Sequence, residues 1–210
     1  MLSQYLPDLI QRRIVLGSSS PRRLDIFKQQ LGLPNVVVEA STFSENLDKR
    51  LFSPIDYVQN TCLGKTYELL GRVPALLHTD HDLLVCADTI IEYDGRILEK
   101  PVDEADAVEM LQSLSGKDHC VHTCVSISTI NLTLNFTETT TVTFDDLSDE
   151  SIRSYVNTGE PFDKAGGYGY QSGAASFVRQ IQGDYWNVIG FPVNRFCREL
   201  EGLLQMQMDA

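Results

Sequence analysis

Ile14-Val15-Leu16-Gly17-Ser18-Ser19-Ser20-Pro21-Arg22-Arg23-Leu24 reads as a strand, a turn and the start of a helix. Ile14–Leu16 is short, apolar and partly β-branched, and Gly17 with three serines breaks it. Pro21 suits the first helical position and Ser20 the N-cap before it. Leu24, Phe27 and Leu31 then follow at helical spacing. The turn therefore joins the C-terminal end of a strand to a helix N-terminus. Unpaired N–H groups and the helix dipole make such a place favourable for anions. The hydroxyls of Ser18, Ser19 and Ser20 and the guanidinium forks of Arg22 and Arg23 add phosphate donors. An ordinary capped helix with two solvated arginines would read the same.

Outward from this turn, Asn35–Ala40 reads as a second strand. Ser53-Pro54 repeats the cap and proline and opens a helix to about Leu70, closed by Gly71. Arg72–Asp82 reads as a loop and Leu83–Ala87 as a buried strand with Asp88 at its C-terminal end. Asp94-Gly95 between the apolar flanks of Ile90–Leu98 signals a hairpin. Asp103 caps a helix to Leu114, and His119–Ile130 and Leu132–Phe144 form an antiparallel pair. A helix from Ser148 to Asn157, a glycine-rich loop over Phe162–Gly173, a strand over Ala175–Ile181 and a helix over Pro192–Leu204 complete the chain. Strands alternating with helices, plus an antiparallel section, predict an α/β fold with a mixed, twisted sheet and flanking helices. Residues 1–210 contain no linker, repeat or low-complexity tract and read as one domain.

A net charge of -12 argues against a nucleic-acid binder, which must neutralise many phosphates. A nucleotide needs only a local cluster of cations and a metal. Apolar runs are strand-sized, so neither a membrane span nor a signal peptide is expected. The five scattered cysteines read as reduced thiols in the cytoplasm.

Asp88 directly follows an apolar strand, where a carboxylate can hold a divalent ion, activate a water or simply cap a turn. Lys65, Lys100 and Glu45 could face phosphate or metal, although each alone reads as a surface charge. In Gly159–Gln171, glycines let backbone approach a ligand and the Gln171 amide can read a base edge. Ser172 stands where a dinucleotide fingerprint requires its third glycine, and no P-loop occurs. His119-Cys120-Val121-His122-Thr123-Cys124 invites a zinc reading. On one strand, however, Cys120, His122 and Cys124 stand in a row about 7 Å apart and cannot wrap one tetrahedral ion.

Taken in order, Leu16–Arg23, Ala87-Asp88-Thr89, Leu98–Pro101, Leu114-Ser115-Gly116, Gly159–Gln171 and Asn187–Pro192 resemble the Maf family of nucleoside triphosphate pyrophosphatases. Ser44–Lys49 and Asp163–Tyr168 look most like its eukaryotic members. The resemblance implies an elongated, two-lobed architecture like that of inosine triphosphatases, with a central cleft and a homodimer. It implies hydrolysis of a nucleoside triphosphate to monophosphate and pyrophosphate with Mg²⁺ or Mn²⁺, as house-cleaning of nucleotide pools. Asp88 falls on the catalytic aspartate and, with Glu45, on the metal position. Ser18, Ser19, Ser20, Arg22, Arg23, Lys65, Thr89, Lys100, Lys164 and Gln171 fall on the substrate side. Arg22, Thr89 and Gln171 resemble the subgroup that prefers dTTP and UTP. Tyr170-Gln171-Ser172 and Glu99-Lys100-Pro101 depart from the family's frequent Ile-Gln-Gly and Gly-Lys-Pro. A nucleotide-binding regulator of septum formation without turnover, and an inosine-type triphosphatase, stand as alternatives.

Overall fold

The computed structural model of the chain describes residues 4–73 and 76–209. Pro74 and Ala75, inside the stretch read as a loop, lie outside the described residues. Seven strands form one mixed sheet: β1 (Ile14–Gly17), β2 (Val37–Val38), β3 (Leu83–Tyr93), β4 (Arg96–Leu98), β5 (Asp118–Ser128), β6 (Thr133–Phe144) and β7 (Val178–Gln182). The order is β2-β1-β3-β5-β6-β7, with β4 pairing to β3. The pairs β2/β1 and β1/β3 are parallel, and the remaining pairs are antiparallel. Among the described residues, seven α-helices accompany the sheet: α1 (Leu6–Leu9), α2 (Pro21–Asp25), α3 (Pro54–Arg72), α4 (Glu104–Leu114), α5 (Asp149–Val156), α6 (Tyr185–Ile189) and α7 (Val193–Met208).

The expected caps form. The side chains of Ser20, Ser53, Asp103 and Ser148 accept from the N–H groups of Arg23, Asp56, Asp106 and Ser151. Helix α2 widens into a π-helical turn, Ile26–Gln30, which carries Phe27 into contact with Phe191 and Phe196.

Several boundaries differ from the sequence reading. The expected strand ending at Ala87 and the first arm of the hairpin are one strand, β3. Asp88 and Thr89 do not interrupt it because they pair in register with Cys124 and Thr123 of β5. It ends only at Asp94-Gly95, where both residues adopt positive φ, as a tight hairpin requires. β2 is two residues at a sheet edge, much shorter than Asn35–Ala40. The expected strand over Ala175–Ile181 begins as a 3₁₀ turn, Gly173–Phe177, and becomes strand only from Val178. Helix α7 runs to Met208 rather than Leu204. The short α1 and α6, each of five residues or fewer, carry too little periodicity to be read in advance.

Three apolar clusters sit around the sheet. Helices α2 and α7 pack with β1, β3 and β5 around Phe27, Phe191 and Phe196. Helix α3 packs on the opposite face through Tyr57, Val58, Cys62 and Leu69 against Leu84, Cys86 and Ile90. Helices α4 and α5 cover the far end around Leu111, Phe144 and Ile152.

The feature that positions the site is a gap along one edge of β3. β1 pairs with β3 only as far as Gly17 opposite Cys86. β4 pairs along the same edge only from Leu98 opposite Ile91. Between them, Ala87 to Ile90 lack a strand neighbour on that side. Position 17, the last of β1, has room only for glycine, because a Cβ there would meet Cys86 Sγ at 2.4 Å and Leu69 Cδ1 at 2.7 Å.

Candidate active site

A cleft of ≈ 670 Å³ opens at this gap. Its walls include Ser18, Ser19, Ser20, Arg22, Arg23, Glu45, Lys65, Asp88, Thr89, Lys100, Lys164 and Gln171. The residues singled out from sequence, scattered from position 18 to 171, thus share one cavity. Its size suits a small ligand of nucleotide dimensions.

Asp88 is 7% exposed, and its carboxylate accepts from Lys65 Nζ at 2.7 Å. The same ammonium lies 2.8 Å from Glu45 Oε1. Burial pushes the Asp88 carboxyl above the usual carboxylate range despite the opposing pull of Lys65 and Arg23, while Glu45 reinforces the rise. At Lys65 burial pulls downward, but Asp88 and Glu45 outweigh it, so the ammonium is held above its ordinary value. The directions are compatible, because desolvation dominates at the carboxylate and ion pairing at the amine. Helix α3 supplies Lys65, while Glu45 comes from the preceding loop, which is pinned where Ser41 and Thr42 donate to Glu68 of α3.

The donor set fits a hard divalent cation. Two carboxylates share one ammonium, so the cluster carries an excess negative charge, and the ammonium marks the space between them as a cation position. Oxygen donors of this kind suit a hard ion rather than a soft one.

Arg22 and Arg23, adjacent in sequence, are built into different places. Arg23 is 9% exposed. Its guanidinium donates to the carbonyls of Gly190 (2.9 Å) and Ala87 (2.8 Å), to Ser18 Oγ (3.1 Å) and to Thr89 Oγ1 (2.9 Å). It fills the gap along β3 and satisfies a carbonyl that no strand reaches. Gly190 presents its carbonyl from the left-handed cap of α6, at φ 109. Arg22 instead reaches across the cleft to Asp163 Oδ2 at 3.0 Å, an exposed pair. Lys164 is tied to the Glu160 carbonyl (2.7 Å) and to Asp163 Oδ1 (2.6 Å). Lys100 and Gln171 stand exposed at the rim, and Thr89 Oγ1 also shares a hydrogen bond with Thr123 Oγ1.

Sequence reasoning passed over three contributors. Asp163 lies in the glycine-rich stretch beside Lys164 but balances Arg22 and Lys164 only in three dimensions. Glu99 accepts from Tyr57 Oη at 2.9 Å and pairs with Lys49 at 2.5 Å at the cleft wall. Asn187 is fully buried and donates to the Val121 carbonyl and Thr140 Oγ1, fixing α6 against the sheet. The residue types gave a signal, but their long-range partners are 42 to 141 positions away.

The fold and cleft define an α/β protein with a cation-lined, carboxylate-centred pocket at a break in sheet pairing. The sequence model described as Maf-like protein matches residues 13–203, and the chain belongs to that family. A human protein described as a probable bifunctional dTTP/UTP pyrophosphatase/methyltransferase is 42% identical over 209 residues, covering 95% of this chain. This chain spans 33% of that relative's length. Two dTTP/UTP pyrophosphatases of Bacillus cereus, from strains AH820 and AH187, are 43% and 44% identical, each alignment covering 90% of this chain and 95% of the relative.

Proposed function

We propose that the chain is a nucleoside triphosphate pyrophosphatase that hydrolyses dTTP and UTP to the monophosphate and pyrophosphate. The observation that carries this reading is the buried Asp88, raised in pKa and held by Lys65, in a cleft whose other walls carry cations. A carboxylate tuned upward is a better base for water near neutral pH. The names borne by the relatives supply the substrate class.

In this reading Asp88 accepts the proton of a water as its oxygen attacks the α-phosphorus. The α–β phosphoanhydride bond breaks and pyrophosphate leaves. Lys65, Arg22, Lys100 and Lys164 stabilise the charge that moves onto the leaving group. Ser18, Ser19 and Ser20 donate to phosphate oxygens. Arg23 is a positioning residue, since four of its N–H groups are committed to the protein. Gln171 reads the base and keeps its amide free at the rim, and Thr89, on the substrate side, lines the cleft beside Arg23. Glu45 and Asp88 would hold Mg²⁺ or Mn²⁺, which when bound neutralises phosphate charge.

Residues 1–210 are read as one domain acting in the cytoplasm, on a nucleotide and not on nucleic acid or membrane, as a homodimer. All five cysteines are free, as a reducing compartment favours. No described helix is long and apolar enough to cross a membrane.

Incubation with dTTP, UTP, CTP, ATP, GTP and ITP plus Mg²⁺, followed by assay of pyrophosphate, tests the proposal. Release from dTTP and UTP above the others is expected. ITP as the best substrate would replace the substrate assignment, and no release from any nucleotide would replace turnover with binding. Light scattering on a sizing column checks the dimer.

A further inference from the structure

A second cluster lies on β3 away from the cleft. Glu92, Cys120 and His122 place a carboxylate oxygen, a thiol sulfur and a ring nitrogen within 4.8 Å of one another. Cys120 and His122 alternate along β5, and Glu92 pairs in register with Cys120 from the neighbouring strand. The row of β5 residues alone cannot surround an ion, but a ligand from β3 turns two of them into a triangle.

Two of the three ligands are oriented by a bond on the far side. Glu92 Oε1 accepts from the Gly95 N–H of the hairpin turn at 2.7 Å, leaving Oε2 to face His122. His122 Nδ1 is 2.9 Å from Thr139 Oγ1 on β6, so the ring turns Nε2 toward Glu92. Nε2 and Oε2 lie 3.9 Å apart, too far for a hydrogen bond. Two ligands of one tetrahedral zinc, each about 2.0–2.1 Å from it, stand about 3.4 Å apart. A small inward movement therefore brings both onto one ion.

We propose that Glu92, Cys120 and His122 form a site for Zn²⁺, with a fourth position open to water. Sulfur and imidazole ligands select a borderline-soft ion over Mg²⁺. On binding, the Cys120 thiol gives its proton to solvent and coordinates as thiolate. Thr139 orients His122 as the hydrogen-bonded partner that metal-bound histidines need. The site ties β3 to β5. It lies four residues along β3 from Asp88, roughly 13 Å at strand rise, and is separate from the cleft. It stands whether or not the pyrophosphatase reading does.

Cobalt is the probe. The reduced, chelator-treated full chain is titrated with Co²⁺, and absorption is followed in the near-ultraviolet for sulfur-to-cobalt charge transfer. A thiolate band that saturates at one equivalent of sulfur-bound cobalt and is displaced by Zn²⁺ is expected, because cobalt at the Glu45/Asp88 position would have oxygen ligands only. C120S should lose the band, E92Q and H122A should weaken binding at least about tenfold, and T139V should weaken it by about tenfold. D88N should keep the band and the affinity, because it alters only the cleft. Circular dichroism confirms folding, and Zn²⁺ should raise the unfolding temperature of the wild type but not of C120S. Absence of a thiolate band, its persistence in C120S or its loss in D88N would overturn the assignment.

Discussion

On one side of β3, Asp88 meets Lys65, which also pairs with Glu45; on the other, Thr89 meets Arg23, Thr123 and the carbonyl of Gly190. The first group consists of charges bound to charges. The second surrounds one buried cation with neutral dipoles. The difference appears in the cations themselves. Ion pairing raises Lys65 above its ordinary value, whereas Arg23 is lowered, chiefly by burial, although Asp88 pulls it up. A guanidinium remains charged even so. The side facing α3 thus holds a tunable carboxylate, while the side facing α6 holds a fixed frame. Strand alternation makes this division possible, because adjacent residues point to opposite faces.

Replacing Asp88 by Asn should have the largest effect, because it removes the proposed base and retains the shape. A loss of about 10²- to 10⁴-fold in kcat for dTTP is expected, with an unchanged circular dichroism spectrum. The wild-type rate should fall as pH drops through the raised pKa of Asp88, since only the carboxylate accepts a proton. Residual D88N activity should lack that limb. An equal pH profile in both proteins would remove Asp88 from the chemistry.

The frame should respond differently. Arg23→Ala strips donors from the buried carbonyls of Ala87 and Gly190, and should lower unfolding stability by about 3–4 kcal/mol. Arg22→Ala loses only an exposed pair with Asp163, so stability should change by less than about 1 kcal/mol while KM rises. Urea titration of both variants measures the contrast, and equal losses would dissolve it.

The frame side extends along β5 to His119, packed edge-on against Phe144 and Tyr168. Burial lowers its pKa to about 4, from 6.5. The unfolded chain therefore binds the proton more readily. The stability that the neutral ring contributes is complete above about pH 6.5, falls as pH drops below it, and is lost by about pH 4. The loss amounts to about 3 kcal/mol. His119→Phe should flatten the fall in unfolding free energy measured from pH 7 to 4, and an unaltered slope would mean that other groups cause it.

Much of this was legible in the sequence because the signals were local. Ser20-Pro21 and Ser53-Pro54 specify helix starts through bonds within three residues, and Asp94-Gly95 specifies its turn through two backbone conformations. The family-like motifs carried the cleft residues together. The continuity of β3 was not legible, because two polar residues at 88 and 89 read as a strand end until β5 pairs with them. The division of labour between Arg22 and Arg23 was equally hidden. It depends on where β1 stops, on the cap of α6 and on Asp163, each set by packing between distant segments. The same holds for Glu92 opposite Cys120, a neighbour that only register reveals.

Thr89→Val should have the smallest effect and bear most directly on the two-sided view. The substitution keeps the branched shape that suits a strand and removes one hydroxyl. That hydroxyl accepts from Arg23 and shares a hydrogen bond with Thr123. Arg23 retains its bonds to Ser18, Ala87 and Gly190, so the guanidinium should stay in place. The expected loss is about 1 kcal/mol of stability, with kcat within about threefold of wild type. If kcat instead fell as far as in D88N, Thr89 would belong to the reacting side, and the frame would begin at Arg23 alone.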